Sequence, residues 1–138
     1  MENQIVVVDT DIVINYVKNS SPVFENLLKI KKKSKLTLII SSITLFEYYS
    51  GIDYKNTEVY QETELLFKQF TVQPVTDEIA KKAARINREN KLYKYIELAD
   101  ILELADILIA STSLYLNARL LTENKRHFKL IPGLTFVP

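Results

Sequence analysis

The chain has 138 residues, a charge balance of 18 Lys and Arg against 17 Asp and Glu, and no Cys. Such a length fits one domain, residues 1–138, with a substantial core, and 47% hydrophobic with 25% charged residues excludes a disordered chain. Disulfides, thiolate zinc sites and a Cys nucleophile are excluded, and with His127 the one histidine, so is a multi-histidine metal centre.

Ile5-Val6-Val7-Val8 is a β-branched run that is apolar on both faces, the pattern of a central parallel strand. Thr10 or Asp11 is placed to cap a short helix running to Val17. Ser21-Pro22 opens a second helix, with Val23, Leu27, Leu28 and Ile30 apolar, and the cations from Lys31 to Lys35 suit its C-terminus. Leu36 to Ile40 reads as a strand. Ser41-Ser42 then cap a helix carrying Ile43, Leu45, Phe46 and Tyr49 that stops near Gly51. The spacing of Val59, Thr63, Leu66 and Phe70 predicts a helix over Glu58–Phe70. Val72 to Val75, interrupted by Pro74, reads as an edge strand. Asp77–Lys91 is a helix with Ile79, Ala83 and Ile86 on one face. Leu98–Asn117 is apolar all round and predicts a buried helix, and Arg119–Thr122 and Leu134–Val137 are two last short strands.

Strands separated by helices imply an α/β domain, a mostly parallel sheet covered on both faces. Asp100, Glu103 and Asp106 break the greasy stretch before Ala118, so no membrane span is expected there. Glu2 and Asp9 flank an apolar run too short for a signal peptide, and the chain is expected in the cytoplasm. With glycines at positions 51 and 133 alone, a dinucleotide fingerprint and a P-loop are excluded. One exact repeat stands out: Glu97-Leu98-Ala99-Asp100-Ile101-Leu102 recurs at once as Glu103-Leu104-Ala105-Asp106-Ile107-Leu108. A hexapeptide is too short for a solenoid unit, so this reads as a local duplication.

Function in an open α/β sheet sits at the carboxyl ends of the central strands. Asp9 follows Val8 at such an end; its alternative role is a helix cap. Glu47 lies in the helix after the second strand, flanked by Phe46 and Tyr48, with its burial open. Asp106 sits in an apolar helix, where an unpaired charge is costly. If these three acids converge, they form an oxygen-rich site for a hard cation such as Mg²⁺ or Mn²⁺.

Four stretches resemble the PIN domain, and specifically the VapC-type ribonuclease toxins of toxin–antitoxin modules. Val7-Val8-Asp9-Thr10-Asp11-Ile12-Val13-Ile14 resembles the family's opening, which carries Asn where this chain has Asp11. Ser42-Ile43-Thr44-Leu45-Phe46-Glu47-Tyr48-Tyr49-Ser50-Gly51 is similar to its Ser-x-x-Thr-x-x-Glu-x-x-x-Gly helix. Ala105-Asp106-Ile107-Leu108-Ile109-Ala110 is similar to its Asp-x-x-Ile-Ala segment. Leu121-Thr122-Glu123-Asn124-Lys125-Arg126-His127-Phe128, with Ile131-Pro132-Gly133-Leu134, resembles its closing block.

The resemblance implies a sheet of order 3-2-1-4-5 and a Mg²⁺- or Mn²⁺-dependent endoribonuclease. It puts Asp9, Glu47, Asp106 and Asn124 in the catalytic set, with Asp9 and Asp106 as metal ligands and Thr10 and Thr122 in support. Glu123 is the alternative to Asn124, and His127 reads as structural. The implied partners are an RNA substrate, a cognate antitoxin protein whose tail offers an Arg to Asp9 or Asp106, and a second copy in a homodimer. Lys81, Arg85 and Arg88 form a basic stripe, and Lys125 and Arg126 lie near the proposed site; each cluster also suits an ordinary solvated face. Two other readings remain. Val8-Asp9-Thr10-Asp11-Ile12-Val13 fits the opening of haloacid-dehalogenase-like phosphatases, with Asp9 as nucleophile. A catalytically silent PIN-fold RNA-binding module is the other.

Overall fold

The computed structural model describes residues 4–92 and 103–138. In chain order its elements are β1 (Gln4–Val8), α1 (Thr10–Val17), α2 (Val23–Lys33), β2 (Leu36–Ser41), α3 (Ser42–Ser50), α4 (Thr57–Phe67), β3 (Thr71–Gln73), α5 (Asp77–Glu89), α6 (Leu104–Tyr115), β4 (Arg119–Leu121) and α7 (Lys125–Phe128). The sheet runs β3-β2-β1-β4 with every pairing parallel. The β-branched run at Ile5–Val8 therefore lies in the interior of the sheet, between β2 and β4.

Alternation along the strands feeds two helical layers. Val6, Val8, Leu36, Leu38, Ile40 and Leu121 face one side, where they pack with Ile12 and Val13 of α1, Phe24 and Leu27 of α2 and Phe67 of α4. Val7, Ile39 and Leu120 face the other, against Ala83 of α5, Ile107, Ile109 and Ala110 of α6 and Phe128 of α7. Ser111 and Thr112 are fully buried in α6. Their hydroxyls donate back to the carbonyls of Ile107 and Leu108, at 2.7 and 2.8 Å, so neither is left without a partner in the core. Asn117 takes a left-handed conformation, φ 52°, and turns the chain out of α6 toward β4.

Several expectations need correction. The expected fifth strand, Leu134–Val137, is a single parallel bridge between Leu120 and Phe136. Leu120 N–H donates to Thr135 O and Val137 N–H to Leu120 O, at 2.9 and 3.0 Å. Phe136 thus occupies the fifth position of a 3-2-1-4-5 order without a strand being built. Gly133, φ +87°, makes the turn that brings it there, in a region an L side chain rarely adopts. The edge strand is Thr71–Gln73 and ends before Pro74. Helix α4 stops at Phe67, so Phe70 packs from beyond its end. In α2 the buried anchors are Phe24 and Leu27, while Ile30 is exposed. The helix expected over Leu98–Asn117 begins at Leu104 after an extended Glu103; residues 93–102, which include the first copy of the repeat and Asp100, lie outside the described residues.

Ser41 ends β2 and caps α3: its Oγ accepts the Ile43 N–H at 3.1 Å in a fully buried position. Ser41→Ala should cost about 1 kcal/mol of stability, read by urea unfolding. An unchanged midpoint would mean that the cap contributes nothing.

Candidate functional site

The carboxyl ends of β1 and β4 meet because the Asp9 N–H donates to Leu121 O at 2.9 Å, extending their ladder past Val8. This sets Asp9 beside Thr122. Asp9 is extended, ψ 151°, and is itself the N-cap of α1, a role the sequence suggested for Thr10 or Asp11. Its Oδ1 accepts from the Thr10 N–H and its Oδ2 from the Thr122 hydroxyl, both at 2.8 Å. Thr122 Oγ1 in turn accepts the Asn124 N–H at 2.9 Å, and Asn124 Nδ2 donates to Asp11 Oδ2. Asp11 sits in the first turn of α1, so the circuit closes through that backbone.

Glu47 is drawn to the same corner by Thr10. The Thr10 hydroxyl donates to Glu47 Oε1 at 2.7 Å and lies 2.9 Å from Thr44 Oγ1. A carboxylate only accepts, so the Thr10 proton goes to Glu47 and the fully buried Thr44 donates to Thr10. Thr44 stands three residues before Glu47 on α3. That helical spacing is the signal that could have marked it as a supporting residue.

Asp106 is placed differently from its apolar surroundings in the sequence. It occupies the first turn of α6, half-buried, and its Oδ2 accepts the Glu103 N–H at 3.0 Å. Glu123 is exposed, and its Oε2 accepts from Asn15 Nδ2 at 3.0 Å, so of the two neighbours Asn124 is the one tied to Thr122 and Asp11. His127 lies half-buried on α7 next to buried Phe128. Lys81, Arg85 and Arg88 are exposed along α5.

Burial dominates the electrostatics. It pushes the Asp9 carboxyl up to about 7; the charges of Asp11 and Asp106 add to the rise, and the Thr122 and Thr10 hydrogen bonds oppose it. Asp106 is raised as well, chiefly by burial, then by the charges of Glu103, Glu47 and Asp11, against the Glu103 N–H. No cation among the described residues enters either balance. Among the described residues the site is a set of oxygen donors with excess negative charge and no counter-ion.

Among the described residues no three of His, Cys, Asp and Glu form a ready-made metal cage. Mg²⁺ needs none, since it is commonly held by one or two carboxylates with water completing its shell. Carboxylate and amide oxygens suit Mg²⁺ or Mn²⁺ and not a soft ion. The donor chemistry of these oxygens therefore fits such a cation.

Comparison with known proteins agrees with this architecture. The sequence matches the PIN domain family over residues 6–134. A VapC ribonuclease from Pyrococcus furiosus is 27% identical over 113 residues, covering 82% of this chain and 72% of that protein. The crystal structure of VapBC2 from Rickettsia felis, bound to a DNA fragment from their promoter, superposes with a TM-score of 0.78 at 24% identity, covering 97% of this chain and 98% of that one. At that identity the likeness is one of fold. VapBC-1 from nontypeable Haemophilus influenzae has a TM-score of 0.75 at 25% identity, covering 97% of each chain.

Proposed function

This chain belongs to the PIN domain family, and on that footing we propose that it is a Mg²⁺- or Mn²⁺-dependent endoribonuclease, the toxin of a toxin–antitoxin module acting in the cytoplasm. The family assignment displaces the haloacid-dehalogenase-like phosphatase reading. The observation that carries the proposal is Asp9: a buried carboxyl at a sheet's carboxyl edge, fixed at both oxygens and lacking a cationic neighbour among the described residues. The cap of α1 needs an acceptor at this position but not a charge, and burying a carboxylate without a cation is unfavourable.

Asp9 and Asp106 would hold the cation. Bound there, it would polarise a phosphoryl oxygen and lower the pKa of a bound water. The chain's own groups do the rest. Thr10 and Thr122 keep Asp9 and Glu47 in place, and a fixed geometry costs no reorganisation when charge develops. Glu47 Oε1 is committed to Thr10, which leaves Oε2 to take the proton from water. That water attacks the phosphorus in line: the new bond forms from its oxygen, the opposite P–O bond breaks, and the leaving oxygen is protonated from solvent. The exposed stripe of Lys81, Arg85 and Arg88, with Lys125 and Arg126, would meet the RNA backbone.

Two protein partners complete the reading. Phe46, Tyr54 and Tyr60 are exposed on or beside α3 and α4, as aromatic residues at an interface often are before the partner arrives. We assign them to a homodimer and to a cognate antitoxin. A groove of about 250 Å³ between α1 and α3, lined by Ile14, Val17, Tyr48 and Ile52, runs beside Glu47 and offers a bound tail a path to the acids. Light scattering should show a dimer at micromolar concentration; a monomer would remove the dimer from this reading. No described helix is long and apolar enough to cross a membrane.

The direct assay incubates the purified chain with total RNA in Mn²⁺ or in EDTA. Cleavage should appear in Mn²⁺ alone. RNA that is bound but left intact in Mn²⁺ would favour the catalytically silent module.

A further inference from the structure

Position 11 departs from the family's opening by carrying Asp, and in the fold its partner is Asn124. Asn124 is gripped twice. Its backbone N–H is tied to Thr122, whose hydroxyl is on Asp9, and its side-chain amide is tied to Asp11. The chemistry of the second grip decides which way the amide points. A carboxylate has acceptors only, so it can meet the NH₂ end and not the oxygen. Asn124 Oδ1 is thereby turned away from Asp11, and it accepts no hydrogen bond among the described residues. An Asn at position 11 would impose no such choice, because an amide presents a donor and an acceptor and either orientation of Asn124 would find a partner. Asp11 also stands in the first turn of α1, whose N-cap is Asp9, so the Asn124 amide is held at the end of the sheet where that buried carboxyl sits.

We propose that Asp11 is a positioning residue of the acidic site: it orients the Asn124 amide so that Oδ1 serves as a neutral oxygen ligand, directly or through water, to the divalent cation. This rests on the cation reading given above and adds a residue to it. The acid and the amide form a pair whose members are exchangeable. With Asn at position 11 and Asp at position 124, the same contact would form with donor and acceptor reversed, and a carboxylate oxygen would stand where Asn124 Oδ1 does now.

The exchange supplies the experiment. Mn²⁺ is titrated calorimetrically into the full-length, metal-free protein without RNA, for wild type, Asp11→Asn, Asn124→Asp and the double exchange, with thermal unfolding alongside. Asp11→Asn should weaken Mn²⁺ binding about tenfold or more, since the isosteric amide neither orients Asn124 nor adds charge. Asn124→Asp alone should lose thermal stability in the absence of metal, because two carboxylates then abut. The double exchange should return Mn²⁺ affinity to within about threefold of wild type, a rescue that a purely structural role of Asp11 would not produce. Mn²⁺ binding by Asp11→Asn within twofold of wild type, or a double exchange no better than Asp11→Asn, overturns the inference while leaving the cation site standing. A wild type that binds no Mn²⁺ overturns both.

Discussion

Replacing Asp9 with Asn should abolish RNA cleavage and leave a protein more stable than the wild type at neutral pH. The loss follows from removal of a carboxylate that is buried at the strand end and aimed by two hydrogen bonds. The gain follows from its titration. The Asp9 carboxyl sits at about 7 in the fold against an ordinary 3.8, so between those values the unfolded chain has released a proton that the folded chain still holds. Folding then takes up a proton, and stability of the metal-free protein falls as pH rises from about 4 to about 7, levelling above that. A shift of this size corresponds to roughly 4 kcal/mol as an upper figure. The substituted amide keeps an acceptor for the Thr10 N–H but turns an NH₂ toward Thr122, which costs about 1 kcal/mol against that gain. Thermal unfolding in EDTA at pH 5 and pH 8 is the check. The wild type should lose stability between them, and Asp9→Asn should lose much less. Equal slopes would mean that Asp9 is not the group whose proton is held.

Asp106→Asn should lower cleavage by roughly 100-fold or more, a barrier change of about 3 kcal/mol, whereas Asp100→Asn should stay within about threefold, under 1 kcal/mol. The two aspartates share an identical hexapeptide, and local sequence cannot separate them. Helix geometry does. The helix that packs on the sheet starts at Leu104, which places Asp106 in its first turn, near enough to Glu47 and Asp11 to feel their charges. The amide of Asp106→Asn would still offer an oxygen to the Glu103 N–H, so the cap survives and the loss reads chemistry, not unfolding. Only Asp106 is followed by Ile107, Ile109 and Ala110, the residues buried against the sheet. Rates measured on one RNA substrate for both variants decide the matter. A silent Asp106→Asn with an inactive Asp100→Asn would move the ligand to the first copy.

Much of this fold can be read from pattern because pattern and packing coincide in it. A strand that is β-branched on both faces has to be interior, and β1 is. Proline stops an edge strand, and β3 ends before Pro74. Where one residue serves two purposes the reading divides. The sequence offers Asp9 as either cap or functional acid and favours Thr10 or Asp11 for the cap, yet the extended backbone at Asp9 makes it the cap of α1 as well as the buried acid. The start of α6 is hidden for another reason. The apolar period runs through both copies of the hexapeptide with no Gly or Pro between them, so nothing local marks the extended Glu103. Leu134–Val137 has strand composition, but β4 beside it is only three residues long, and one bridge is what results. The Asp11–Asn124 contact joins residues 113 positions apart. Each is an ordinary loop or helix-turn residue by itself, and only the pairing of β1 with β4 brings them together.

RNA-end sequencing after brief induction of the protein in cells, wild type beside Asp9→Asn and Asp106→Asn, tests the central claim most directly. New ends should accumulate at discrete sites with the wild type and be absent with both variants, although all three proteins are folded and present at equal levels. A wild type that creates no new ends, or variants that create the same ones, would contradict the assignment of a carboxylate-based ribonuclease to this chain.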